Sequence, residues 1–447
     1  MTHSTYTPFS KVASILAAVS LSMTFVSGAA TADTTTHIVK VRCPSQSINK
    51  AIETSPDKGR VIVLIEGTCH ENVTIHRGDV TLRGNDPGSS KIIGVEEADR
   101  YDESPVTVEA PGRIEIENIT LAGGTSSGIA VVASRVELRN CILENNGLNG
   151  ASLIGGGLLR IDNCTARDNV KAGVYAQGGG IAEITNSTID SNGTNGVVVG
   201  RGSRALIGKN LMNEPGATTI RGNAEVAVLA SDNGSVDLAN SAVESAGRTA
   251  VSALRSSSVL MENSRVTATG DSSCAVFIGD GSALSLNEGN TLISGAATFS
   301  CATLSVQRNS TARVSGSGNT IANTGPGSAL EVGSVSSLRI DPSVPASVTV
   351  VRGNVQAYNL STADLRRVIV YGNIWARGPT SNVRLLGSSN GAVIVNGDVF
   401  PSNDSAADIS NNGSVFINGN IDCTNGQNVR ADFQYFGSSG HYVNCSF

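Results

Sequence analysis

Histidine is nearly missing from this 447-residue chain: five are present, and none lies between His76 and His441. There is no Cys-x-x-Cys pair either, so the spacing of an ordinary zinc site is not found, and no metal or other cofactor is expected. Aromatic residues make up only 4% of the chain, with a single tryptophan. That supply is too small to fill several separate globular cores. Basic residues number 32 against 38 acidic ones, a net charge of −6, which is the wrong balance for a nucleic-acid partner. Beyond residue 32, no run approaches the ~18 apolar residues of a membrane span.

What the chain does have is glycine, fifty residues of it, together with many small polar residues. Residues 1–32 read as a secretory signal: Lys11 gives a positive flank, residues 12–30 are small, apolar and uncharged, and Ala30-Thr31-Ala32 offers a small-x-small cleavage pattern ahead of Asp33. The expectation is an exported protein, secreted or periplasmic/extracellular, with no membrane span once the signal is removed.

The body of the chain repeats. Alternating strands end on asparagine at Ile114-Glu115-Ile116-Glu117-Asn118 and Val136-Glu137-Leu138-Arg139-Asn140. The same ending follows at Asn163 and Asn186, so the asparagines fall 22, 23 and 23 residues apart, and Asn240 and Asn263 resume the register after two longer coils. Each unit adds a second apolar strand opened by Gly128, Gly150, Gly173 or Gly196. A fixed period with strand-like alternation predicts an all-β solenoid of roughly 22–30-residue coils, in which stacked rows of small aliphatics form the core. Asparagine tolerates the left-handed backbone that a sharp turn between strands demands, so these asparagines are read as turn-builders able to pass amide hydrogen bonds from coil to coil. Residues 46–55 place Ile48, Ala51 and Ile52 on one helical face, a short cap for the open end of the stack. Residues 33–110 are thus assigned to the cap and first coils, 111–347 to regular coils, and 348–447 to C-terminal coils and their cap.

The entry Ile48-x-x-Ala51-Ile52, then Val61-Ile62-Val63-Leu64-Ile65-x-Gly67-Thr68-Cys69-His70-Glu71-Asn72-Val73-Thr74-Ile75 and Val80-Thr81-Leu82-x-Gly84, resembles the pectin-lyase-like superfamily. The later coils resemble its repeats along nearly the whole chain. The resemblance implies a right-handed parallel β-helix and an association with acidic polysaccharides. It fixes no activity, because the fold hosts lyases, hydrolases, esterases, epimerases and non-catalytic surface proteins.

Eight cysteines in an exported chain suggest disulfides between sequence neighbours: Cys43 with Cys69, Cys141 with Cys164, Cys274 with Cys301, and Cys423 with Cys445. Cys141 and Cys164 each follow a turn asparagine and stack directly. Bridging and a row of reduced, buried thiols are both open for that pair, since in-register side chains point in parallel.

In the enzymes this chain resembles, catalysis sits on the outward face of the Gly-opened strand. Here those positions hold Ala130, Ser152, Tyr175 and Val198, none of them a carboxylate. The polygalacturonase motifs Asn-Thr-Asp, Gly-His-Gly and Arg-x-Lys are missing, as is the Asp-Pro-His-Asp of alginate epimerases; Gly193-Thr194-Asn195-Gly196 keeps the turn without the aspartate. Charge collects instead on the Asn-terminated strands. Glu115, Glu137, Arg160 and Glu183 form one outward row, with Glu117, Arg139 and Asp162 beside it. This face is either a glycan- or partner-binding surface or a solubilising ladder of opposite charges. Lys171, Arg201 and Arg248 are the basic residues near the Gly-opened strands. They define the alternative to a non-catalytic binding scaffold: a divergent polysaccharide lyase or epimerase acting on uronic-acid polymers, in which Ca2+ would have a place. The partner class is accordingly a polysaccharide or a cell-surface molecule.

Overall fold

The computed structural model describes residues 35–422 except for 97–102, 246, 271–272, 296–300, 343–346, 389–391, 402–404 and 413–414. Beyond Asp422 it describes only the backbones of Val429–Ala431 and Tyr442–Val443. The expected signal segment with its cleavage point, Cys423 and Cys445 therefore lie outside the described residues.

Three parallel ladders run the length of the molecule. The first holds the Asn-terminated strands, among them Arg113–Glu117, Arg135–Arg139, Leu158–Asp162 and Ile181–Thr185. The second holds the short strands that follow the turn, such as Thr120–Ala122, Ile142–Glu144 and Thr165–Arg167. The third holds the Gly-opened strands, among them Ile129–Val132, Ala151–Ile154 and Val174–Gln177, and counts sixteen strands among the described residues. Strand Arg60–His70 serves two ladders, pairing with Val80–Gly84 through its first half and with Ser90–Ile93 through its second. Among the described residues the three-ladder pattern continues past residue 348, from Thr349–Arg352 to Tyr442–Val443.

The core is the set of inward rows. Ile116, Leu138, Ile161, Ile184, Ile207 and Leu238 stack on the first ladder and are all essentially solvent-free. Each such side chain contributes roughly 1.5–3 kcal/mol by leaving water. Small aliphatics suffice because the cross-section is narrow, which is why a chain so poor in aromatics can fold. The helix forms over Ile48–Glu53, buries Ile48, Ala51 and Ile52, and is capped by the Ser47 hydroxyl. Glu71 from the adjoining coil accepts the Ile48 amide at 2.7 Å and the Ser47 hydroxyl at 2.8 Å, so this carboxylate ties the cap to the stack.

The turn asparagines take the left-handed conformation, with φ of 59° at Asn118, 51° at Asn140, 52° at Asn163 and 50° at Asn186. Their amide relay is short: Asn140 donates to Asn118 at 2.6 Å, whereas Asn186 donates to Asp162. The continuous ladder is another column, Asn146, Asn169, Asn192 and Asn223, at the turn ahead of the third sheet. The Nδ2 groups of Asn146, Asn169 and Asn192 each donate to the Oδ1 of the next at 2.9 Å, and each Oδ1 in the column also accepts a backbone N–H from the preceding coil. All four are buried. The glycines that open the third-sheet strands make room for it, since a Cβ on Gly128, Gly150, Gly173 or Gly196 would stand 2.7–3.0 Å from one of these amide nitrogens.

Candidate functional site

Pairing register confirms the outward rows on the first sheet. Glu115, Glu137, Arg160 and Glu183 face one another in sequence, and Glu117, Arg139 and Asp162 run alongside. The charges neutralise one another. Arg113 bonds Glu115 at 2.9 Å and Glu137 at 2.7 Å, Arg139 bonds Glu137 at 2.5 Å and Glu117 at 3.1 Å, and Arg160 bonds Glu183 at 2.6 Å. Arg83 reaches Glu117 at 2.7 Å, and Arg60 pairs with Glu115. Burial pushes the Glu137 carboxyl up, but Arg113 and Arg139 outweigh it and hold the group below the usual carboxylate range. Cross-strand pairs of this kind contribute about 0.2–1 kcal/mol each.

The row is not simply solvated, however. Residues 208–216 belong to one of the longer coils and lie against the sheet. Leu211 donates its amide to Glu183 at 3.1 Å, leaving that residue 2% exposed. Asn210 organises the segment by accepting the Met212 and Glu214 amides at 2.9 and 3.0 Å. Between this wall and the strands lies a cleft of about 370 Å³. Glu137, Arg139, Arg160, Asp162 and Glu183 border it, joined by Arg113, Asn186, Asn210 and Glu214. Asp162 accepts the Thr185 hydroxyl and the Asn186 amide, both at 2.8 Å. Glu115 and Glu117 lie outside the cleft. Its wall was missed in the sequence, where only the longer coil length pointed to it.

The basic candidates are not assembled. Lys171 and Arg248 share a column at the opening edge of the third sheet, separated by Thr194 and Glu225. Arg201 sits at the turn after Val197–Gly200, on the other edge. None of the three forms a side-chain ion pair among the described residues.

Two of the expected disulfides are present, Cys43–Cys69 and Cys274–Cys301, with Cα atoms 4.9 and 5.4 Å apart. The Cys141–Cys164 bridge is not: both are free, buried thiols. Their side chains stack in parallel, and each sulfur is taken up by neighbouring backbone. Cys164 Sγ accepts the Cys141 amide at 3.2 Å, and the Cys141 thiol points to the Ile116 and Arg139 carbonyls. The next coil offers Ser187 Oγ to the Cys164 amide in the same way at 3.1 Å. Burial drives the Cys164 thiol well above its normal range.

On the third sheet the outward row begins as expected, with Ala130, Ser152, Tyr175 and Val198 in register. It then changes character towards the C-terminal end, running Phe277, Ser305, Glu331, Gln356, Trp375, Phe400. Trp375 and Phe400 stack with ring centroids 6.1 Å apart, and the Arg377 guanidinium lies 4.7 Å from the Trp375 centroid. Extending the row beyond Val198 in the sequence would have found these residues.

Residues 63–212 match the family described as the right handed beta helix region. The match covers part of the coils described above and agrees with them: the chain folds as an all-β parallel solenoid, consistent with a right-handed β-helix. A comparison with curated protein sequences finds none that matches this β-helix. Among solved structures it is similar to the A-module of the mannuronan C-5 epimerase AlgE4 of Azotobacter vinelandii, at 13% identity and a TM-score of 0.45 over 66% of this chain and 93% of that one. It is also similar to the pectin methylesterase PemA of Erwinia chrysanthemi, at 12% identity and a TM-score of 0.31 over 52% and 78%. An alginate lyase of Paenibacillus sp. str. FPU-7 gives 10% identity and a TM-score of 0.19 over 91% and 99%. Likenesses of that size transfer no activity to this β-helix. Among the described residues, no helix is long and apolar enough to cross a membrane.

Proposed function

We propose that this protein is an exported, non-catalytic binding scaffold that uses the first-sheet cleft to hold a glycan, free or displayed on a cell-surface partner. The observation that carries the reading is the convergence of Glu137, Arg139, Arg160, Asp162 and Glu183 around one cleft walled by residues 208–216. Paired guanidinium and carboxylate groups, with the Asn186 and Asn210 amides between them, present donors and acceptors at fixed spacing, which suits hydroxyl-rich ligands. Affinity then accumulates over successive coils, because each coil supplies one side chain per row.

The test is binding and turnover measured together on pectate, alginate and related polysaccharides. Binding that falls when Arg160→Ala and Asn210→Ala are combined, with no turnover, is the expected result. Cleavage or epimerisation of a uronan that disappears on changing Lys171, Arg201 or Arg248 to Ala would overturn the reading in favour of a lyase or epimerase.

A further inference from the structure

A second concavity, of about 180 Å³, opens on the outward face of the third sheet, in coils well beyond the first-sheet cleft. One wall is Trp375, the only tryptophan in the chain. Phe400 stacks beside it in the next coil, and Arg377 packs its guanidinium on the indole, a geometry that fixes both groups. Arg377 has no carboxylate partner among the described residues, whereas Arg113, Arg139 and Arg160 on the first sheet are all paired. Its guanidinium lines the concavity, where its N–H groups can meet an acceptor brought by a ligand. Glu331 and Gln356 also line the concavity. The Tyr358 hydroxyl donates to Glu331 Oε1 at 2.6 Å, and the ring reaches that position because residue 333 is glycine, where any Cβ would collide with it. Gln356 is held by a 2.6 Å hydrogen bond from its Nε2 to Ser328 Oγ.

An aromatic wall, a carboxylate, an amide and a guanidinium around a space for one sugar ring make a coherent recognition set. We infer that this concavity binds a pyranose unit of a neutral, hydroxyl-rich glycan. The apolar face of the ring stacks on Trp375, ligand hydroxyls donate to Glu331, and Arg377 and Gln356 donate to ligand oxygens. A uronate is disfavoured here, because its carboxylate would be confined with Glu331 in a partly desolvated space. The inference stands apart from the first-sheet reading, since no residue is shared between the two clefts.

The single tryptophan makes the test direct. The protein is titrated with hexaoses of β-1,4-linked glucose, mannose and galactose, and separately with hexamannuronate and hexagalacturonate, while tryptophan emission is followed. Saturable change with at least one neutral hexaose is expected, weakened about tenfold or more by Glu331→Gln. Arg377→Ala, a change at an exposed side chain, weakens it as well without disturbing the fold, and far-UV circular dichroism checks both variants. Arg160→Ala leaves the response unchanged, which separates this site from the first-sheet cleft. An unchanged emission with all three neutral hexaoses, tighter binding of either oligouronate, or wild-type affinity in both Glu331→Gln and Arg377→Ala would overturn the inference.

Discussion

Replacing Asn169 by alanine isolates the buried amide column from the exposed one. Asn169 Oδ1 accepts the Asn146 backbone amide at 3.2 Å and the Asn146 side-chain amide at 2.9 Å. Its Nδ2 donates to the Leu143 carbonyl at 3.0 Å and to Asn192 at 2.9 Å. Alanine abolishes all four bonds and strands two donors and a carbonyl where water does not reach. At about 1–3 kcal/mol for each buried group left unpaired, the loss is on the order of 3–6 kcal/mol. The control is Asn140→Gly, at an exposed position with φ of 51°, where glycine adopts the backbone freely and one amide contact disappears; this costs less than about 1 kcal/mol. Because each coil touches mainly its neighbours, the damage concentrates locally, so hydrogen exchange of amides in the coils of Asn146 and Asn192 is the most direct readout, supported by urea unfolding. If Asn169→Ala falls within about 1 kcal/mol of Asn140→Gly, the claim that the column is a structural spine is wrong.

Three further outcomes follow from the charge ladder and the cysteines. Glu137 has a depressed pKa in the folded protein, so its contribution to stability is complete above the ordinary carboxylate value and fades as pH falls through the lower folded value; changing Arg113 and Arg139 to Ala should move the acid-unfolding midpoint to higher pH, and an unchanged midpoint would count against the ladder. Cys164→Ser should be nearly neutral, because Ser187 fills the equivalent place in the next coil, while Cys164→Ala should cost about 1–3 kcal/mol by orphaning the Cys141 amide. Alkylation with peptide mapping should label Cys141 and Cys164 only after unfolding and should find Cys43 joined to Cys69 and Cys274 to Cys301.

The coil register was legible because period-2 alternation and left-handed turn residues leave a strong mark in a short repeat. That is why the row Glu115, Glu137, Arg160 and Glu183 could be placed without coordinates. The buried column was not legible, because Asn146 and Asn192 each precede a glycine and read as ordinary turn residues. Nothing local distinguishes an asparagine facing water from one facing the next coil. The Cys141–Cys164 pair shows the converse limit: stacking brings two residues together, yet both thiols stay free, Cys164 Sγ accepting the Cys141 amide and the Cys141 thiol facing the Ile116 carbonyl. The Trp375 cleft escaped because the outward row of the third sheet was followed only as far as Val198; carried on through Phe277, Ser305, Glu331 and Gln356 it reaches Trp375.

The two staples at Cys43–Cys69 and Cys274–Cys301 give the molecule an uneven response to tension. Pulled from its ends, a solenoid of independent coils unwinds stepwise, each 23-residue coil releasing roughly 75–80 Å of slack. The bridges shut off that extension at two places, because the chain between each pair of cysteines stays looped however far the rest has opened. One closed loop contains the capping helix, and the other leads into the coils that carry Glu331 and Trp375. Under load, or at a surface that strips coils from one end, the oxidised protein keeps two short knots of connectivity that the reduced protein would surrender.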